Sequence, residues 1–298
     1  MTNVPITIVI PTTCRRERAD LLRNAIASIH RAAPGAVEVI VAMNGPHVDP
    51  EMAAELQERP DIRVVRFAEG SSPMAIWRAL ELVESEFFGV LDDDDEMLPR
   101  GLTMRLEALY AEPRADLVLS NGFRNTAGRD ELYLRHLDRV VHDPLRAFFV
   151  ENWLPSCGAL FRRSRIERTL FENYHPLAEW SWLAFRIAMA GKKILALQEP
   201  TFRVRADTPE SASKSHAYVL SYVGLYERML AMNPRPDVRA ILRRRLSQAH
   251  HDASVQWMKL HETSFAWHHH ARSLVTPYGW RFFWYVRHIL RSAWQRGV

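Results

Sequence analysis

Four consecutive carboxylates, Asp92 to Asp95, follow the apolar run Phe87-Phe88-Gly89-Val90-Leu91 and precede Glu96, Met97, Leu98 and Pro99. Adjacent carboxylates repel, so such a cluster is tolerated when it is solvated or when a hard divalent cation neutralises it. Mg2+ and Mn2+ favour oxygen ligands, and Mg2+ takes one or two carboxylates and completes its shell with water and substrate phosphates. The chemistry implied is metal-assisted binding of a diphosphate-bearing substrate. A solvated turn or helix N-terminus, where negative charge is favourable in any case, also accounts for these residues.

The elements around the acids decide between the two. Ile6 to Ile10 has a buried-strand pattern closed by Pro11, and a polar loop of Thr12, Thr13, Cys14, Arg15 and Arg16 follows. From Ala19, Leu22, Ile26 and Ile29 keep helical spacing. The unit recurs: a strand over 37–42, the turn Met43-Asn44-Gly45-Pro46 and a helix over 51–58; then a strand over 62–67, a helix over 72–83 and a strand over 87–91 that delivers the acids. Strands alternating with helices predict an α/β fold, a mainly parallel sheet flanked by helices. Ligands of such sheets bind beyond the carboxyl ends of the strands, where Thr12 to Arg16, Met43 to Pro46, Glu69 to Ser72 and Asp92 to Glu96 all fall.

With 298 residues, 47% of them hydrophobic, the chain can bury a large core, which argues against disorder. A formal charge of +4, carried mostly by arginine, suits anionic small substrates, acidic lipids or nucleic acid. No basic stripe interleaved with aromatics lies in the strand-rich part, which argues against nucleic acid. Cys14 and Cys157 offer neither a disulfide framework nor metal-ligand spacing. No apolar run is long enough to span a bilayer, and the expected location is cytoplasmic.

The residues quoted so far resemble the family-2 (GT2) glycosyltransferases of the GT-A fold, which move a sugar from a nucleotide-sugar donor to an acceptor. The resemblance rests on Val9-Ile10-Pro11-Thr12 with nearby arginines, Val39-Ile40-Val41 before Asn44-Gly45, and Leu91 to Asp95 with Pro99 beyond. It continues in Cys157 to Arg162, which looks like the glycine-containing strand on the acceptor side, and in Glu179-Trp180 with Leu183, Arg186 and Gly191 to Ile194.

What the resemblance implies is specific. Asp92 and Asp94 take the places of the Asp-X-Asp pair, Asp92 toward the donor ribose and Asp94 on a Mn2+ or Mg2+ ion that bridges the diphosphate. Asp95, Gly158 and Trp180 fall on the acceptor side. Pro11, Thr12, Arg15, Arg16, Asn44, Asp93 and Arg205 fall on the donor side, and Ser211 and Ser213 resemble a segment that closes over donor phosphates. Glu179 takes the place of the catalytic base, although the family often has Glu-Asp where this chain has Ala178-Glu179. Met43 stands where many members carry an Asp that holds uracil, which leaves the donor base open. The implied activity is inverting, metal-dependent transfer to a glycan or lipid-linked acceptor in cell-surface polysaccharide assembly. The processive Gln-X-X-Arg-Trp pattern is absent, which favours single addition.

The expected division is a GT-A domain over residues 1–215 and a helical region over 216–298. In the latter, over 278–296, Phe282, Val286, Ile289, Leu290 and Ala293 share a helical face opposite Arg287, His288, Arg291 and Gln295, as for a helix on an anionic membrane or one docked on its own domain or on a twin subunit. His268-His269-His270 reads as surface histidine. Two rivals stand beside the transferase: a non-catalytic nucleotide- or glycan-binding member of the fold, and a sugar-1-phosphate nucleotidylyltransferase, whose usual glycine-rich phosphate loop has no counterpart in Pro11 to Cys14.

Overall fold

A computed structural model describes residues 4–206 and 215–294, with side chains through Arg291. The chain divides into two compact units, Met1–Tyr174 with Leu183–Thr208, and His175–Trp182 with Pro209–Val298.

The first unit is built on strands β1 (Ile6–Thr12), β2 (Val37–Asn44), β3 (Arg63–Phe67), β4 (Phe87–Val90), β5 (Glu96–Met97), β6 (Leu117–Thr126), β7 (Arg129–Leu132), β8 (Ala159–Arg162) and β9 (Ile194–Arg205). Its helices are α1 (Ala19–Ala32), α2 (Pro50–Gln57), α3 (Ser72–Ala79), α4 (Gly101–Ala111), α5 (Leu137–His142) and α6 (Pro144–Val150), and α7 (Glu179–Met189) crosses from the second unit into the first. The strands form one sheet in the order β3-β2-β1-β4-β8-β6-β9-β5, with β7 on β6. The pairings among β1 to β4 are parallel, as strand-helix alternation requires. β8 runs antiparallel to both β4 and β6, which makes the sheet mixed.

Burial fixes these elements. Ile6, Ile8, Val9 and Ile10 are fully buried, each contributing about 1.5–3 kcal/mol. Leu22, Ala25, Ile26 and Ile29 bury one face of α1. Asp49 caps α2 by accepting from Met52 N at 2.9 Å.

β1 does not stop at Pro11, as the sequence predicts, but runs through Thr12. The carbonyl of Val9 accepts from Leu91 N, so Pro11, two residues on, faces the same side, where β4 has already given way to the acidic loop. Its missing N–H therefore breaks no ladder bond to β4.

Arg105 on α4 is fully buried and donates to Ser120 Oγ (2.9 Å), Thr201 Oγ1 (2.7 Å) and the Cys157 carbonyl (2.7 Å). Burial lowers its pKa to about 10. One guanidinium thus stitches β6 and β9 to the segment that enters β8.

The second unit is helical: α8 (His216–Ala231), α9 (Pro236–Lys259), α10 (Thr263–Val275), a 3-10 helix over Gly279–Tyr285 and α11 (Val286–Trp294). The histidine run is only partly a surface feature: His268 is exposed and His269 half-buried, but His270 is buried. Ala266, His270 and Ser273, at helical spacing, form the buried face of α10, and His250 of α9 is buried as well. His250 Nδ1 lies 3.0 Å from His269 Nδ1.

Burial, with the neighbouring His269 and Arg272 charges, depresses His250 from 6.5 to about 4, and burial also lowers His251, His269 and His270. For a group depressed on folding, stability is complete above the unfolded value and is lost as pH falls toward the folded one. Between pH 6.5 and about 4, His250 alone should cost the unit on the order of 3 kcal/mol. A falling melting temperature over that window, with a shallower fall in His250→Gln, is the expected result of circular dichroism. Parallel curves for the two proteins would refute it.

Candidate active site

The four acids lie in the loop that leaves β4 and ends in β5. Glu96 pairs with Arg203 and Met97 with Phe202 of β9, so the loop is anchored at both ends. Along it burial alternates: Asp93 and Asp95 are buried, whereas Asp92 and Asp94 are partly exposed. A run of four like charges is thereby divided into an inner and an outer pair.

The inner pair is hydrogen-bonded within the protein. Asp93 accepts from Thr12 Oγ1 at 2.6 Å and from the Arg18 guanidinium, whose Nε lies at 3.1 Å. Asp95 Oδ1 accepts from Arg205 N at 3.0 Å, and Cys157 Sγ lies 3.8 Å from Oδ2. Burial, together with the charges of Asp92 and Asp94, raises the Asp95 pKa well above the ordinary carboxylate value. Burial and the Asp95 charge likewise push up the Cys157 thiol.

Arg18, which sequence reasoning passes over in favour of its neighbours, is the arginine at the acids. It ends the 3-10 turn Arg16–Arg18, and its Nη2 also lies 3.2 Å from Asp94 Oδ2. Arg15 and Arg16 are exposed, and Arg16 pairs with Glu51 at 3.5 Å. In the sequence, Arg18 is marked only by its place immediately before the first helical turn of α1.

Thr12 ends β1 with its hydroxyl on Asp93 and accepting from Cys14 N at 3.0 Å. Asn44 is buried at the end of β2 and donates to the Thr12 carbonyl at 3.0 Å, so it clasps two strand ends together. Met43 belongs to the hydrophobic core. Pro11 is buried in register with Ala42. Arg205 places its backbone N–H on Asp95 while its side chain is exposed. Ser211 and Ser213 lie outside the described residues.

On the β8 side, Gly158 has a packing reason: a Cβ there would sit 2.6 Å from Pro155 Cγ. Its carbonyl accepts from Ser120 N at 2.9 Å.

Glu179 and Trp180 open α7 and belong to the second unit. Both are partly exposed, and burial raises the Glu179 pKa above 4.5 despite the lowering effect of a backbone hydrogen bond. His175, nearby in sequence, is spent on structure: its Nε2 lies 2.9 Å from the Ser221 carbonyl, and Arg228 Nη1 lies 3.4 Å from its Nδ1.

Among the described residues, no group of three or more His, Cys, Asp or Glu side chains is arranged to hold a metal by itself. That suits a cation held by one or two carboxylates and completed by substrate phosphates and water. Asp92 and Asp94 are the partly exposed carboxylates that could hold such a cation, and their charges add to the burial that raises the Asp95 pKa.

Comparison with known proteins bears on the fold and the family. No curated protein matches the chain. Among solved structures, S. aureus TarS residues 1–349 with UDP-GlcNAc superposes with a TM-score of 0.61 at 13% identity, covering 91% of this chain and 81% of that one. The mannosyltransferase PcManGT from Pyrobaculum calidifontis, in complex with GDP-Man and Mn2+, superposes with a TM-score of 0.55 at 15% identity, covering 97% of this chain and 86% of that one. The model of the family described as Glycosyl transferase family 2 matches residues 7–174, more than half of the chain, and includes every strand from β1 to β8. The chain belongs to glycosyl transferase family 2 and has the GT-A fold.

Proposed function

We propose that the protein transfers a hexosyl unit, with inversion and with a divalent metal, from a nucleotide-diphosphate sugar to a glycan or lipid-linked acceptor, one sugar per encounter, in cell-surface polysaccharide assembly. The observation that carries the proposal is the alternation of burial along the four acids: Asp93 and Asp95 are buried, whereas Asp92 and Asp94, the latter 3.2 Å from Arg18 Nη2, are partly exposed at the carboxyl edge of the sheet. Neighbouring folds that hold UDP-GlcNAc or GDP-Man with Mn2+ support it.

Asp94 would hold Mn2+ or Mg2+, and the cation would supply positive charge to the departing diphosphate. Asp92 would orient the donor from the outer side of the loop. Arg18 keeps Asp93 and Asp94 in place and brings a permanent positive charge to the phosphate side. Glu179, with its raised pKa, would take the proton of the acceptor hydroxyl. Inversion follows from direct attack of that hydroxyl on the anomeric carbon, opposite the leaving diphosphate.

Calorimetric titration of UDP, GDP, dTDP and CDP, each with and without Mn2+, tests the reading and names the base. Metal-dependent binding of one diphosphate is the expected result. No binding of any of them would overturn the reading.

Membrane attachment forms part of the proposal. Among the described residues, no helix is long and apolar enough to cross a membrane. The 3-10 helix Gly279–Tyr285 has a period of three, which sorts its aromatics differently from an α-helix. Gly279, Phe282 and Tyr285 turn inward, and Phe282 stacks on His251 at 4.1 Å. Ile289 is also buried, against Met258 and Ala266. The apolar face expected to meet lipid is therefore partly docked on its own unit.

A second set takes its place outside: Trp280, Phe283, Trp284 and Leu290 are more than half exposed, and Arg281, Arg287 and Arg291 are exposed beside them, without an acid from Gly279 to Val298. Exposed tryptophans among arginines fit the headgroup layer of an anionic membrane. Deleting the segment would strip the packing of Phe282 and Ile289, so the sharper variants are Trp280→Ser and Trp284→Ser. Each should weaken sedimentation with phosphatidylserine vesicles several-fold, and raised salt should do the same. Equal binding by wild type and both variants would refute the attachment.

A further inference from the structure

Within the second unit, α8 and α9 line an open pocket of about 280 Å³. This is just below the roughly 300 to 1,000 Å³ typical of small-molecule sites, a volume suited to one sugar ring rather than a nucleotide sugar. Its walls differ in chemistry. Tyr218, Tyr222 and Tyr226 recur every fourth residue along α8 and form an aromatic ladder, with ring centroids 5.2 Å apart at the first step and 5.7 Å at the second. α9 contributes Arg245, Gln248 and Asp252.

The geometry points to a saccharide-binding site, in which a neutral pyranose lies against the tyrosine ladder and offers its hydroxyls to α9.

Three features select that ligand class. All three tyrosines are partly exposed, which leaves aromatic surface on the cavity wall, and the C–H face of a pyranose packs on the electron-rich face of such a ring. The α9 side chains are planar and polar: Gln248 Nε2 donates to Asp252 Oδ1 at 2.8 Å, which orients a carboxylate and an amide together, and such groups pair with vicinal hydroxyls. Arg245 and Asp252 cancel in charge, so the wall favours an uncharged polyol over a phosphate. On the ladder, the Tyr218 and Tyr222 hydroxyls lie 2.7 Å apart, which sets two phenolic oxygens side by side at the pocket.

This site lies apart from the carboxylate loop in sequence and chemistry, and it stands whether or not that loop performs transfer. In an enzyme that builds glycans, it would retain a sugar of the chain being extended or of a product.

Saturation-transfer difference NMR on the full chain tests it, with the methyl glycosides of glucose, galactose, mannose, N-acetylglucosamine and rhamnose at millimolar concentration and glycerol as an acyclic control. Transfer to the ring protons of at least one pyranoside is expected, reduced at least ten-fold in Tyr222→Ala and in Asp252→Ala and retained in Asp94→Ala. Asp252→Ala removes no aromatic packing, so it remains informative should Tyr222→Ala fail to fold. No transfer to any glycoside, or transfer unchanged in Asp252→Ala, would overturn the proposal. Transfer lost only in Asp94→Ala would place the sugar at the carboxylate loop and overturn it equally.

Discussion

Asp94→Ala is expected to abolish metal-dependent binding of a nucleoside diphosphate while leaving the fold intact, and Asp93→Ala, one residue away, is expected to do nearly the reverse. The contrast follows from the alternation along the loop. Asp94 is partly exposed, and its removal leaves Arg18 still paired with Asp93. Loss of a group merely orienting a metal ligand weakens metal affinity about 10- to 100-fold, so loss of a carboxylate ligand should exceed that. Asp93 is buried between Thr12 and Arg18, and its removal takes from Arg18 its closer partner, leaving Asp94, and from Thr12 the acceptor of its hydroxyl. Loss of a hydrogen bond to a charged group costs about 1.5–3 kcal/mol. Calorimetry should therefore register the first variant and thermal denaturation the second. If Asp94→Ala binds diphosphate with Mn2+ as tightly as wild type, the outer pair is not the metal site.

The same alternation shows where the sequence stops being informative. The acids and the strand that delivers them are visible as an apolar run ending in four carboxylates, and the βα repeat places them at the carboxyl edge of a parallel sheet. Which acids face inward is not visible, because it depends on β5, a strand of two residues whose partner Arg203 lies more than a hundred positions away. Periodicity needs several residues to register. Arg18 is hidden for a related reason: a single 3-10 turn, too short to leave a pattern, turns it toward the acids and leaves Arg15 and Arg16 outside. In the second unit, the helical character of residues 216–298 is legible, but the composition of His268-His269-His270 suggests a surface that the buried face of α10 overrules at His270. Near the chain's end, Phe282 and Ile289 of the face grouped by helical spacing both turn inward, whereas Leu290 of that face stays out; over Gly279–Tyr285 a period of three replaces 3.6, which leaves Trp280 and Phe283 outside.

Glu179→Gln tests the other half of the chemistry, which the carboxylate loop cannot perform. A general base must be deprotonated while its conjugate acid remains strong enough to matter near neutral pH, and burial moves Glu179 in that direction. Its position at the first residue of α7 works against this, since a helix N-terminus favours the charged form, yet the net displacement is upward. Because the folded pKa is raised, the active, ionised form is lost as pH falls through a value above 4.5, and the acid limb of the kcat profile should lie above the ordinary glutamate range. The amide preserves shape and hydrogen bonding but cannot accept the proton. Transfer should fall about 10²- to 10⁴-fold in kcat, with the donor KM unchanged and the acid limb erased. Glu179→Asp, which keeps the carboxylate on a shorter arm, should recover part of the rate and restore a pH limb. A merely structural acid would behave otherwise: the glutamine variant would turn over at close to the wild-type rate with the same pH profile, and the base would have to be sought elsewhere in the chain.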